Sequence, residues 1–157
     1  SVIPKFLKQK NGASFDITSK SMTRFNITLF QSVKFVLSSL QKMRGGEIFV
    51  PKLPSYKILD LVRAIDSKPK INIIGIRPGE KLHEEMISES DSLNTLELKN
   101  YYIIFQNDIL KKEFINKFKD KFKIIKKPFC YNSKNNKIFL KVSEIKDLIK
   151  ENVSESN

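Results

Sequence analysis

Short apolar runs closed by proline, glycine or polar turns alternate along this chain with stretches of helical periodicity. That alternation restricts it to an α/β or α+β fold, because period-2 and period-3.6 patterns cannot bury the same face. Strands are expected at 15–18, 47–50, 71–76, 96–105 and 138–140, with Glu47–Val50 closed by Pro51. Helices are expected over 2–10, from Thr28 to Gly45-Gly46, from Ser55 to Ile65, over 109–122 and from Ser143. Thr28 and Gln31 have capping-box spacing, and Val33, Val36, Leu37, Leu40 and Met43 recur at helical intervals behind them. Ser55 reads as an N-cap, with Ile58, Leu59, Leu61, Val62 and Ile65 on a buried side. After Leu82 a short helix or turn is expected to Ile87. The strands are too few for a complete doubly wound sheet, so the layout suits the smaller lobe of a two-lobe enzyme. One domain over 1–151 and a frayed tail at 152–157 are expected.

Of 29 basic residues only four are arginine, Arg24, Arg44, Arg63 and Arg77, and the formal net charge is +12. Sequence-specific DNA readers lean on the planar arginine fork. A Lys-dominated excess therefore reads as a solvated surface, with a basic nucleic-acid-binding module on the 109–127 face as the weaker alternative. Each retained arginine becomes a better pointer to bidentate anion recognition. One cysteine and one histidine exclude a disulfide framework and multi-cysteine or Cys2His2 metal sites. No apolar run reaches the roughly 20 residues that span a bilayer. A first residue of Ser1 reads as an excerpt of a longer chain.

Several catalytic patterns are missing. None of the five glycines forms a dinucleotide or Walker turn. No tyrosine precedes a lysine by four residues, since the residues four beyond Tyr56, Tyr101, Tyr102 and Tyr131 are Asp60, Phe105, Gln106 and Asn135. No catalytic residue, cofactor-binding residue or metal ligand is assigned.

Two segments do carry chemistry. In Gly75-Ile76-Arg77-Pro78-Gly79-Glu80 a strand delivers Arg77 to its carboxyl end and a turn returns Glu80 beside it. A diphosphate-gripping cation and a carboxylate able to accept from vicinal hydroxyls suit a nucleoside diphosphate. A local Arg77–Glu80 ion pair in a surface turn is the competing reading. Arg24, in Met22-Thr23-Arg24-Phe25-Asn26-Ile27-Thr28, lies just before a helix N-terminus, where the backbone field favours anions; an ordinary pre-helix loop is the alternative. His83, without a partner constellation, reads as a packing or hydrogen-bonding residue, and Cys130 as an inert thiol.

Together, SVIPKFLK, ITSKSMTRFNIT, GGEIFVPKLPSYKILDL, GIRPGEKLHEEMIS and the tail YNSKNN resemble the inverting UDP-N-acetylglucosamine 4,6-dehydratases of flagellin-sugar and capsule biosynthesis. These are extended short-chain dehydrogenase/reductases, and the resemblance covers the carboxyl-terminal half of their catalytic domain. It implies an NADP-dependent enzyme acting on UDP-N-acetylglucosamine, with the cofactor glycines and catalytic Tyr and Lys ahead of Ser1. Oxidation at sugar carbon 4, loss of water across carbons 5 and 6, and hydride return to carbon 6 would follow. It further implies a pyrophosphate clamp of Arg24 and Arg77 and a ribose acceptor at Glu80. A uracil-side wall would come from Val2, Pro4, Ile17 and Thr18, with Tyr131 and Asn136 on a tail that folds back to the site. A homo-oligomer and a cytoplasmic location, with room for a membrane anchor upstream, complete what the resemblance implies; an NDP-sugar epimerase of the same superfamily is its nearest alternative. Asn26 and Asn132 depart from the commoner family pattern, which bears on fine substrate contacts.

Overall fold

The computed structural model describes residues 2–10, 14–117 and 121–153. Its first elements are α1 (Val2–Gln9), β1 (Phe15–Ile17), β2 (Thr23–Phe25), α2 (Leu29–Leu40), β3 (Glu47–Pro51), β4 (Ser55–Lys57) and α3 (Ile58–Ile65). These are followed by β5 (Ile71–Ile73), β6 (Glu85–Ile87), α4 (Glu89–Ser92), β7 (Thr95–Glu97) and β8 (Tyr101–Phe105). The last are α5 (Asp108–Lys117), β9 (Lys123–Ile124), β10 (Tyr131–Asn132) and α6 (Val142–Val153). Helices and strands are mixed as expected, and the sheets are small, the largest having four strands. No helix among the described residues is long and apolar enough to cross a membrane.

Two compact units divide the chain. The first gathers the described residues of 2–26, 54–84 and 133–153. Its core forms because α3 is amphipathic: Ile58, Leu61, Val62 and Ile65 share one buried side with Phe6, Phe15, Ile17 and Ile145. β1 pairs in parallel with β5, matching Ile17 to Ile73. β2 pairs antiparallel with β4, matching Arg24 to Tyr56. Ser55 is not a cap, because it lies within β4; its backbone N–H donates to Ile138 O at 2.8 Å, and its Oγ accepts from Asn136 Nδ2 at 2.9 Å. The tail thus occupies the groups that a cap would use, and α3 starts after Lys57 with no side-chain cap. The expected strand at 138–140 reduces to a parallel bridge from Phe139 to Ser55. The expected strand over 71–76 stops at Ile73, where the Ile74 N–H crosses to Ile17 O and Gly75 turns with φ +82°. α6 continues to Val153, and the rest of the expected frayed tail lies outside the described residues.

The second unit comprises 27–53 and the described residues of 85–132. Its sheet runs β3-β8-β7-β9, antiparallel throughout, over a core of Leu96, Leu98, Ile103, Phe105 and Phe114. The single strand expected over 96–105 is a hairpin, turned by Lys99 and Asn100 and closed by Leu98 N–H to Tyr101 O at 2.9 Å. The helix or turn expected before Ile87 is strand β6, paired antiparallel with β10. The capping box forms, with Thr28 Oγ1 accepting from Gln31 N–H and Gln31 Oε1 from Thr28 N–H. The apolar repeat behind it is not core, however: α2 buries none of its residues, and Leu29, Phe30, Val33, Val36, Leu37 and Leu40 are exposed.

Candidate functional site

The first unit brings Thr18, Arg24, Arg77 and Glu80 into electrostatic reach of one another. Arg77-Pro78-Gly79-Glu80 forms a tight turn with Glu80 N–H bonded to Arg77 O at 3.0 Å. Proline presets φ at the second position, and Gly79 supplies φ +78° at the third, the pattern of a type II turn. The Glu80 carboxylate folds back, with Oε1 accepting from the Thr18 hydroxyl at 3.0 Å and Oε2 from the Arg77 N–H at 3.3 Å. Partial burial pushes the Glu80 pKa up, but the Arg77 N–H, the Thr18 hydroxyl and the charges of Arg77 and Arg24 outweigh it and hold the carboxyl below its ordinary range. The local side-chain ion pair does not form. Glu80 takes the backbone of Arg77, while the exposed Arg77 guanidinium has no ion-pair partner among the described residues.

Arg24 is held more tightly. Its Nη1 donates to the carbonyls of Thr23 at 2.8 Å and Leu82 at 3.2 Å, and its Nε lies 3.3 Å from Glu84 Oε1. Glu84, unassigned from the sequence, therefore orients Arg24. Beneath them, Thr23 Oγ1 lies 2.8 Å from His83 Nδ1 and 2.7 Å from the buried Ser133 Oγ, which also accepts from Glu84 N–H at 2.9 Å. This network across β2, 82–84 and the tail was hidden in sequence because Thr23 and Ser133 are 110 residues apart. Its signals in sequence are the HE of the turn segment and the YNSKNN tail, expected to fold back to the site.

Partial burial, with the charges of Lys134 and Arg24 behind it, lowers the His83 pKa from its ordinary 6.5. His83 therefore favours the fold above its unfolded value, and that contribution is lost as pH falls through the lower folded value. The chain has one histidine, so an NMR titration gives a single imidazole curve, expected to have its midpoint below 6.5. A midpoint above 6.5 would contradict the network.

The remaining expected site residues are placed differently. Ile17 is 1% exposed, its side chain is core, and its carbonyl accepts from Ile74 N–H. Val2 and Pro4 lie in the first turn of α1, Val2 packed on the core and Pro4 exposed. Asn136 Nδ2 bonds Ser55 Oγ and the Ile138 carbonyl at 3.2 Å. Tyr131 belongs to the second unit, where its hydroxyl accepts from Leu53 N–H at 2.8 Å and its ring lies 5.3 Å from that of Tyr102. Burial raises the Tyr131 pKa, which the Leu53 N–H partly opposes. Among the described residues no glycine follows a strand and opens a helix: Gly45-Gly46 lie between α2 and β3, and Gly75 and Gly79 lie in the turns after β5. The described glycines therefore form no dinucleotide-binding turn.

The fold is a small mixed α/β one, and its first unit presents an arginine-carboxylate turn. A family model described as polysaccharide biosynthesis protein matches residues 1–106, and the chain belongs to that family. The expected resemblance is borne out: the chain is 44% identical over 159 residues to the inverting UDP-N-acetylglucosamine 4,6-dehydratase of Campylobacter jejuni, covering 95% of this chain and 46% of that one. It is 35% identical over 156 residues to a UDP-glucose 4-epimerase of Rickettsia typhi, covering 95% of this chain and 45% of the relative. The X-ray structure of Pen from Bacillus thuringiensis superposes with a TM-score of 0.78 at 30% identity, over 96% of this chain and 45% of the other. The chain thus spans about half the length of the relatives it matches.

Proposed function

We propose that the chain is the substrate-binding portion of a UDP-N-acetylglucosamine 4,6-dehydratase that makes a 4-keto-6-deoxy UDP-hexose for surface polysaccharide or flagellin glycans. The observation that carries this reading is the exposed, unpaired Arg77 guanidinium above a turn that keeps Glu80 ionised, within the field of Arg24. Arg77 meets the diphosphate with its whole fork, and Arg24, anchored by Glu84, adds a second positive charge. Glu80 keeps lone pairs for the ribose hydroxyls after accepting from Thr18 and Arg77. Val2, Pro4, Thr18 and the backbone of Ile17 flank the uracil, while Tyr131 and Asn136 steady the tail. NADP would be held by the part of the enzyme beyond the matched half. The dehydratase relative, at 44% identity over most of this chain, supports the reading.

The test is a titration of the chain with UDP, UDP-N-acetylglucosamine and orthophosphate, followed through backbone amide shifts. UDP compounds are expected to move Arg77 and Glu80, and orthophosphate to compete only weakly. No response to either UDP compound would end the proposal. The epimerase relatives favour a second reading, a 4-epimerase that keeps the clamp but eliminates no water. Product mass on the longer enzyme separates the two, because only the dehydratase product is lighter by one water.

A further inference from the structure

Arg24 takes its orientation from acceptors on Thr23, Leu82 and Glu84, and one serine is bonded to two of those three residues. Ser133 is fully buried. Its Oγ accepts from the Glu84 N–H at 2.9 Å, and its own N–H donates to the Glu84 carbonyl at 2.8 Å. The same Oγ lies 2.7 Å from Thr23 Oγ1 and 3.2 Å from Thr23 O. Thr23 O is also the nearest acceptor of Arg24 Nη1, at 2.8 Å. Ser133 has one hydroxyl proton to give, so the Thr23 hydroxyl and carbonyl compete for it. His83 decides that competition, because its Nδ1 lies 2.8 Å from the same Thr23 hydroxyl. When Nδ1 carries a proton it donates to Thr23 Oγ1, Thr23 donates to Ser133, and Ser133 donates to the Thr23 carbonyl beside Arg24. When Nδ1 carries none, Thr23 donates to it, Ser133 turns its proton to Thr23 Oγ1, and the carbonyl loses its Ser133 donor.

We propose that Ser133 and His83 are positioning residues of the diphosphate clamp, acting on Arg24 through Thr23 and Glu84. The inference rests on reading Arg24 as part of that clamp. The Glu84 carboxylate is partly in water and by itself would hold Arg24 loosely; the Ser133 bonds fix the main chain from which it reaches. The charged groups around His83 are Arg24 on β2, Lys134 on the returning tail and Glu84 next to it in the chain. Tyr56, paired with Arg24 across β2 and β4, is kept neutral by burial. Partial burial, and two cations against one carboxylate, favour the neutral imidazole in the free chain, and a bound diphosphate opposes those cations. Binding is therefore linked to proton uptake at His83, and the protonated imidazole is the state that turns the Ser133 proton to the Thr23 carbonyl.

The test measures binding of UDP-N-acetylglucosamine to the 157-residue chain by calorimetry, because the bridged phosphates of this ligand do not titrate near neutral pH. Thr23→Val, which keeps the shape and removes the hydroxyl, is expected to weaken binding about fivefold, the equivalent of one neutral hydrogen bond, and Thr23→Ser to restore it. Exchange of the Arg24 Nε–H with water reads the guanidinium without ligand, and should be roughly fivefold faster in Thr23→Val than in wild type or Thr23→Ser. Wild-type affinity should rise roughly two- to threefold as pH falls from about 8 to about 5.5, as a nearby unit charge screened by water would give. His83→Asn keeps a polar group near the Nδ1 position but cannot titrate, and should abolish that slope. His83 is only half-buried, so this variant keeps the test decisive should Thr23→Val not fold. Wild-type affinity and Arg24 exchange in Thr23→Val, or a pH slope that survives His83→Asn, overturns the proposal and leaves the clamp standing. Absence of binding in the wild type overturns the clamp and this inference with it, so the two failures differ in which protein loses the ligand.

Discussion

Arg77→Ala is expected to weaken UDP binding by roughly 10- to 150-fold, the equivalent of one charge-assisted contact of about 1.5–3 kcal/mol. The effect is large because the Arg77 guanidinium is neither buried nor committed to an ion pair, so its removal deletes a ligand contact without opening the core. Arg24→Ala would weaken binding as well but carries a structural cost, since Arg24 ties the Thr23 and Leu82 carbonyls to Glu84. The two variants therefore separate by calorimetry and melting: Arg77→Ala should lose affinity at an unchanged melting midpoint, and Arg24→Ala should lose both. The Glu80 carboxyl, held below its ordinary range, contributes stability that is present above its unfolded value and lost as pH falls through the lower folded value. Near neutral pH the ribose acceptor is thus charged, and affinity should be flat in pH there as far as Glu80 sets it. Unchanged UDP affinity in Arg77→Ala would remove the clamp.

The parts of this site that sequence made legible are local. Proline and glycine between Arg77 and Glu80 dictate a turn whatever surrounds it, while the apolar run before it marks a strand that stops at Ile73 and does not reach Arg77. The return of the tail follows from the family resemblance, but the contacts it makes stayed hidden. Ser133 meets Thr23 and Glu84, and Asn136 meets Ser55, through contacts 49 to 110 residues apart that no periodicity encodes. Ser55 shows the cost of local reasoning, since its side chain and position suit an N-cap until Asn136 takes the hydroxyl. Strand lengths failed for a related reason. The run over 96–105 carries enough apolar residues for one strand, and the antiparallel pairing of β7 with β8, closed by the Leu98–Tyr101 hydrogen bond, reveals the hairpin.

Leu61→Ala is expected to destabilise the chain by about 2–5 kcal/mol, and Leu37→Ala to change it by less than about 0.5 kcal/mol. Both leucines sit on helices with regular apolar spacing, and nothing in that spacing distinguishes them. Leu61 is fully buried in a core shared by α1, α3 and α6, so truncation leaves a cavity lined by groups that cannot follow. Leu37 faces solvent, where alanine removes no packing and is the better helix former. Urea denaturation followed by circular dichroism measures both. A Leu37→Ala loss as large as that of Leu61→Ala would mean that the α2 stripe is covered even in the isolated chain. A difference of the expected size would show that helical periodicity records a face that must be buried, and leaves open by what.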